Sequence, residues 1–420
     1  MSLKKVSAYT TFCKPLNKTG WYNIKKEHKI EQAVILAGGK GTRLRPITDT
    51  MPKPMISFYE KPFLEYLIDN LKENGISKVV LLLGYLPEVI KEYFGDGRKF
   101  GITIEYSVTD VDNDTGKRMK LAQTQLDDEF LFMYCDNYWP IRLNEMYRDF
   151  VSKNISGQLT VYSNEDNYTR SNLKVDCTGL IIEYDKSRKS EGLEMVDIGF
   201  GIFKKEIIDL LPDDNISFEN TAYPLLIKKR QLGAYVTRHR YYSVNSHERL
   251  YLTEEFLKRK PAIILDRDGV LNKKAPKAEY ITKWSDFKWI DGSKQAIVLL
   301  KQAGYTVIIV SNQAGISRDV MTEADLKDIH DKMKEEVRIF GGGIDAIYHC
   351  PHGWDEGCSC RKPNPGMLFQ AQRDFSIDLS KTYFIGDDIR DKQAGDAAGC
   401  KTILVSNNNS LIDIVKCDIL

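Results

Sequence analysis

AVILAGGKGTRLRP, residues 33–46, decides the fold of the first half of the chain. Five apolar residues read as a buried strand that breaks directly into Gly38, Gly39 and Gly41. Glycines there leave backbone N–H groups free to approach a polyphosphate, because no Cβ stands in the way. Thr42 continues the turn, and Arg43 and Lys53 bring two cations to the same region. PFLEYLIDNLKENGI then carries Phe63, Leu64, Leu67, Ile68 and Leu71 at helical spacing, with Gly75 as the stop. KVVLLLG, ITIEYSV, FLFMYCD and LTVYSN read as further strands. Strand, helix and strand in turn predict a parallel-sheet α/β domain that binds ligands at the C-terminal ends of its strands.

A second start lies downstream. ERLYLTEEFLKR (residues 248–259) reads as a helix stopped by Lys260-Pro261, and AIILD opens a new strand at once. The alternation then runs through YTVIIVSN, the helix TEADLKDIHDKMKEEV, AIYHC, YFIGDD and TILVSN. The expected organisation is an N-terminal arm over residues 1–30, a first domain over 31–258 and a second over 261–420. The fold class is α/β, with two Rossmann-like domains in series. Length agrees, since 420 residues exceed what one core usually holds, about 250–300.

Sixty Lys and Arg face fifty-nine Asp and Glu, a formal net charge of +1. That balance offers no global attraction to nucleic acid or anionic membrane, so phosphate ligands must be held by local sites. Apolar runs such as Val79–Leu83 fall far short of the roughly 18 residues a bilayer span requires. The polar segment MSLKKVSAYTTFCKPLNKTG lacks the apolar core of a signal peptide, so a cytoplasmic location is expected. Of eight cysteines, Cys350, Cys358 and Cys360 crowd together with His352 among them, and the others are scattered singly. This is the pattern of a metal site in a reducing compartment, not of a disulfide framework. Three thiolates and one imidazole make a closed tetrahedral set, hence a structural Zn²⁺ site. His349 is adjacent but surplus to that set.

With Arg43, Pro46 and the Pro52-Lys53-Pro54 segment in register behind the glycines, the first half resembles the sugar-1-phosphate nucleotidyltransferases over roughly residues 31–250. The resemblance implies a mixed sheet, Mg²⁺, and a nucleoside triphosphate and a sugar phosphate as substrates. It implies that Gly38, Gly39 and Gly41 cradle the triphosphate, that Arg43 neutralises it, and that Lys53 holds the phosphates for attack. Asp136 in FLFMYCDN matches the metal-holding aspartate, and Lys186 in EYDKS the lysine that contacts the sugar phosphate. Two stretches depart from the family. DTGKRMKLA looks more like the cytidylyltransferase branch, and YYSVNSHER places Ser243 where a second metal aspartate is usual, leaving Asp136 with another acid such as Asp197 or with the phosphates.

In the second half, Asp266 and Asp268 end a strand two residues apart, on one side of an extended backbone. Paired carboxylates at a strand end suit a nucleophile and a general acid/base around Mg²⁺. Ser311-Asn312, Arg361-Lys362 and Asp387-Asp388 follow at intervals that resemble the haloacid-dehalogenase superfamily of phosphatases. The resemblance implies that Asp266 attacks phosphorus, Asp268 serves as acid and base, and Ser311, Asn312, Arg361 and Lys362 hold the substrate. Asp387 then completes the Mg²⁺ site with Asp266 and Asp268. The cysteine loop, DRDGVLN and EYITKWSDFKWIDG narrow the likeness to the heptose-1,7-bisphosphate phosphatase family, with histidinol phosphatases as runner-up.

A phosphatase that clears the distal phosphate of a sugar 1,7-bisphosphate leaves a sugar 1-phosphate, which a nucleotidyltransferase consumes. The expectation is therefore a bifunctional enzyme of nucleotide-sugar biosynthesis using GTP or CTP. The alternatives are a CTP-dependent enzyme for another sugar or polyol phosphate, and a nucleotide-sugar-binding regulatory first domain on an active phosphatase. Oligomeric state stays open.

Overall fold

Strand β1 (Gln32–Ala37) buries every one of its residues, with Ala33, Ile35 and Ala37 on one face and Val34 and Leu36 on the other. Two-sided burial requires neighbours on both edges and cover on both faces, which explains the unbroken apolar run. The computed structural model describes residues 28–276 and 279–420. The expected arm therefore lies outside the described residues as far as residue 27. His28 and Ile30, at its end, are buried.

In chain order the first half continues with α1 (Phe63–Glu73), β2 (Lys78–Leu83), β3 (Thr103–Val108), α2 (Thr115–Leu121), β4 (Glu129–Tyr134), β5 (Gly157–Tyr162), β6 (Val196–Lys204), α3 (Phe218–Lys228), β7 (Leu232–Thr237) and α4 (His247–Leu257). The seven strands form one sheet in the order β7-β5-β6-β4-β1-β2-β3. Strand β6 runs antiparallel to both neighbours, so the sheet is mixed rather than wholly parallel. Strand β1 pairs in parallel with β4 on one side and β2 on the other. The loop after β1 thus opens at the point where the strand order reverses, the usual place for a ligand in an open sheet.

The second half contributes β8 (Ala262–Asp266), β9 (Thr306–Asn312), α5 (Glu323–Ile339), β10 (Ala346–Cys350), β11 (Tyr383–Gly386), α6 (Ile389–Ala398) and β12 (Lys401–Leu404). These strands make a separate, wholly parallel sheet in the order β10-β9-β8-β11-β12. Its central strand, β8, ends in Asp266. The chain divides into two units. Among the described residues, one holds residues 28–260 together with Phe369–Ser380, and the other holds Pro261–Leu368 and Lys381–Leu420.

Candidate active sites

In the first unit the glycine turn closes on the Pro52-Lys53-Pro54 segment. Gly41 has φ 63°, and a Cβ there would press on Thr48 Cγ2 at 3.1 Å and Lys53 Cβ at 3.2 Å. Thr48 Oγ1 donates to the Gly41 carbonyl at 2.9 Å and fixes the fold-back. Gly39 faces open space. Thr42 and Arg43 are exposed in a short 3₁₀ turn, with Arg43 close enough to oppose the Lys53 charge.

Lys53 Nζ sits 2.6 Å from Asp136 Oδ2 and 3.1 Å from Asn245 Oδ1. Burial works to lower the Lys53 pKa, but the attraction of Asp136 wins and leaves it above the ordinary value. Ser243, at the position of the usual second aspartate, is turned inward. It is buried, its backbone pairs with Asn137, and its carbonyl accepts from Thr253. Asn245, two residues on, is the side chain that meets Lys53.

Lys186 Nζ lies 3.3 Å from the buried Glu219, which also accepts from Thr115 Oγ1 at 3.0 Å. Asp197 sits at the irregular part of β6, where Gly199 has φ 79° and its N–H donates to the carboxylate at 2.8 Å. Desolvation pushes the Asp197 pKa up to about 7.

In the second unit the signature residues converge. Asp266 is buried at the end of β8, and Lys362 Nζ bridges Asp266 Oδ1 and Asp391 Oδ1 at 2.7 Å each. Burial first, then the nearby Asp391 and Asp268, push the Asp266 pKa up, against the pull of Lys362, to about 7. Asp391 was not foreseen. Its Oδ2 accepts the N–H groups of Asp387 and Asp388 at 3.0 and 3.1 Å, so one carboxylate fixes both Lys362 and the turn carrying Asp387. Asp388 caps α6 by accepting from Arg390 N.

Asp268 accepts from Arg267 (2.9 and 3.0 Å from Nη2), Asn272 (2.8 Å), Gln313 (2.9 Å) and Ser311 (3.3 Å). Burial alone would raise its pKa, but Arg267 and these donors hold it below the usual range. Asn312 and Lys362 clasp each other. Asn312 Nδ2 donates to the Lys362 carbonyl and Lys362 N to Asn312 Oδ1, each at 3.0 Å. Asn312 thus sets the backbone of the lysine instead of offering its amide to a ligand.

Ligand atoms of Asp266, Asp387 and Asp391 lie within 4.8 Å of one another. Asp387 Oδ2 takes Lys274 at 2.6 Å, whereas Asp387 Oδ1 is buried without a hydrogen-bond partner. Oxygen ligands with one orphaned carboxylate atom fit a hard divalent cation such as Mg²⁺.

Cys350, His352, Cys358 and Cys360 form the second cluster. The sulfurs lie 3.3–3.6 Å apart, and His352 Nδ1 lies 3.3–3.5 Å from Cys360 and Cys350. A tetrahedral Zn²⁺ with ordinary bond lengths would set those edges at about 3.6–3.8 Å, so the set is near closure around one ion. His349 points elsewhere, to Glu323 at 2.9 Å. Arg361 donates to the His352 carbonyl at 3.0 Å. It lines a cavity of about 240 Å³ with Trp354, Lys362, Asn364 and Arg390.

The chain is similar to two groups of known proteins. The nucleotidyl transferase family profile matches residues 32–284, reaching past Lys260, and a HAD-hydrolase-like profile matches residues 359–414. The D-glycero-beta-D-manno-heptose-1,7-bisphosphate 7-phosphatase of Bordetella bronchiseptica is 44% identical over 147 residues, 35% of this chain and 81% of that protein. Its namesake in Pseudomonas aeruginosa is 42% identical over 149 residues, 36% of this chain and 83% of that protein. Among solved structures, HddC of Yersinia pseudotuberculosis complexed with GMP-PN is 24% identical. It aligns over 54% of this chain and all of that one, with a TM-score of 0.47. The chain belongs to the nucleotidyl transferase family through its first unit and, through its second, to the HAD-type phosphatases that include the two heptose-bisphosphate phosphatases: it is an enzyme with both domains in one polypeptide.

Proposed function

We propose that the enzyme converts D-glycero-D-manno-heptose 1,7-bisphosphate to a nucleotide-activated heptose in two steps, dephosphorylation and then nucleotidyl transfer from GTP or CTP. The observation that carries the reading is the Asp266–Lys362–Asp391 chain beside Asp387, a phosphoryl-transfer site in the half that resembles heptose-bisphosphate phosphatases.

Asp266 is the nucleophile. Its carboxylate attacks the distal phosphorus, the P–O bond to the sugar breaks, and the leaving alkoxide takes, through Asp268, the proton that the phosphate monoanion brings in. Water, deprotonated by Asp268, then cleaves the aspartyl-phosphate and releases phosphate. Lys362, held between two carboxylates, offsets the repulsion between Asp266 and the phosphate anion. Asp266, Asp387 and the backbone carbonyl of Asp268 would hold Mg²⁺, which supplies charge neutralisation for phosphoryl transfer. The cysteine loop would hold a structural Zn²⁺ and so present Arg361 and Lys362 to the substrate.

In the first unit the heptose 1-phosphate oxygen attacks the α-phosphorus of the triphosphate and pyrophosphate leaves. Gly39, Gly41, Thr42 and Arg43 line the phosphate path, Lys53 orients the phosphates and Lys186 receives the sugar phosphate. Asp136 would hold Mg²⁺ there, with the Asn245 carboxamide in reach. The paired thiolates suit a reducing, cytoplasmic compartment.

Mass spectrometry of products from heptose 1,7-bisphosphate, Mg²⁺ and an equal mixture of four NTPs tests the proposal. A single NDP-heptose names the base. Heptose 1-phosphate without NDP-sugar would reject the second step. The inward-turned Ser243 favours one other reading, a first unit that binds nucleotide without turning it over. Pyrophosphate release by the wild type would eliminate it.

A further inference from the structure

Arg118, in helix α2, is a heavily committed cation of the first unit. Its guanidinium is buried, and it is held by three separate loops. Nη1 donates to the Leu83 carbonyl at 2.6 Å and to Thr109 Oγ1 at 2.5 Å. Nη2 donates to the carbonyls of Asp110 (3.0 Å) and Val111 (3.1 Å), with Gly38 O at 3.5 Å. These acceptors lie at the end of β2 and just after β1 and β3, three adjacent strands of the sheet. Two Nη groups carry four protons, and five acceptors surround them, so neither group retains a proton for a nucleobase or phosphate.

The same guanidinium explains two glycines. A Cβ on Gly38 would lie 2.5 Å from Arg118 Cζ and 2.6 Å from Nη1, and a Cβ on Gly84 would meet both Nη atoms more closely still. Neither residue has the positive φ that favours glycine elsewhere. What demands glycine is the arginine, not backbone conformation.

We infer that Arg118 is the positioning residue of the nucleotide-binding edge, a clamp that holds the loops after β1, β2 and β3 in register, with Gly38 and Gly84 kept free of Cβ to admit it. This rests on the transferase reading of the first unit. It reassigns Gly38 from phosphate contact to clamp seat, and it makes the arginine of DTGKRMKLA an organiser of the triphosphate site that does not itself read the base. Lysine cannot substitute, because one ammonium has three donors and no planar fork.

The test uses the full chain with Mg²⁺, GTP or CTP, and a sugar 1-phosphate. Arg118→Ala and Arg118→Lys should raise KM for the triphosphate roughly 10- to 100-fold, the scale on which a small misplacement of binding groups is felt. KM for the sugar phosphate should stay within about twofold. Thr109→Val, which removes one acceptor, should give a smaller rise and keeps the test alive if Arg118→Ala fails to fold. A two-step melting curve, with the transition of the first unit retained, reports whether that unit is folded in each variant. Gly84→Ala should impair triphosphate binding and lower the melting temperature in the wild type, but do neither in an Arg118→Ala background, where the methyl has room. Folded Arg118 variants with unchanged triphosphate KM, or a Gly84→Ala effect undiminished by Arg118→Ala, would overturn the clamp. A wild type that binds GTP and CTP yet releases no pyrophosphate would instead overturn the transferase reading, and titration of either nucleotide into the variants would still decide the clamp.

Discussion

Asp391 shows how one residue can organise a site without being its nucleophile. One of its oxygens holds Lys362 and the other ties down the turn that carries Asp387. Asp391→Asn keeps the shape and removes the charge, so Lys362 should swing toward Asp266 alone. Phosphate release is expected to fall at least tenfold, within the 10- to 100-fold range for a group that orients metal ligands. Assay of the variant across Mg²⁺ concentrations checks this, and an unchanged rate would contradict it. Asp197 allows a prediction of a different kind. Desolvation sets its native pKa near 7, above an unfolded value of about 3.9. Between those values the native state binds more protons than the unfolded state, so this group lowers stability as pH rises. Asp197→Asn should flatten that slope, keeping the carboxamide oxygen for Gly199 N–H. Melting curves at pH 5 and pH 8 should show a smaller loss of stability in the variant than in the wild type.

At the scale of elements, strand ends and their loops were legible because burial on both faces leaves an unmistakable apolar run. The strands that begin at residues 32, 78, 129, 262 and 306 all form, and all but the one at 78 carry signature residues at or just past their C-terminal ends. Strand β6 was less legible. Its sequence, VDIGFGIFK, does not disclose that it enters the sheet in the opposite direction, since direction depends on what precedes it. The residues that sequence reasoning missed share one property, contact across long separations. Asn245 meets Lys53 across 192 positions, and Arg118 meets Leu83 across 35. Asp391 sits four residues past Asp387, and the GDDIRD run was its available signal. The cysteine loop was the easiest to read, because all four donors fall within eleven residues. Cys358→Ser should cut zinc content and lower phosphatase activity about 10- to 100-fold by releasing the loop that carries Arg361 and Lys362. Metal analysis of the purified protein decides it, and full zinc occupancy in the variant would contradict the assignment.

At the scale of the molecule, each unit gathers its own cluster of candidate residues. Lys53, Asp136 and Asn245 meet within the first, and Asp266, Lys362, Asp387 and Asp391 within the second. Neither set borrows a side chain from the other. The two activities should therefore be separable by single substitutions. Asp266→Asn should abolish phosphate release while preserving turnover of a supplied sugar 1-phosphate, because the nucleophile is lost and no other carboxylate replaces it. Lys53→Ala should do the reverse, with transferase kcat/KM reduced by about 10²-fold or more, on the scale of losing a preorganised group that stabilises developing charge. A mixture of the two variants then becomes informative. If heptose 1-phosphate diffuses freely, the mixture makes NDP-heptose from the bisphosphate after a lag that shortens as protein concentration rises. A linked chain offers no advantage in that regime beyond equal production of the two activities. A mixture that stays inactive, although each variant keeps its own half-reaction, would mean that the intermediate never leaves the polypeptide that made it. The lag time measured against protein concentration separates these outcomes without any knowledge of how the units are arranged.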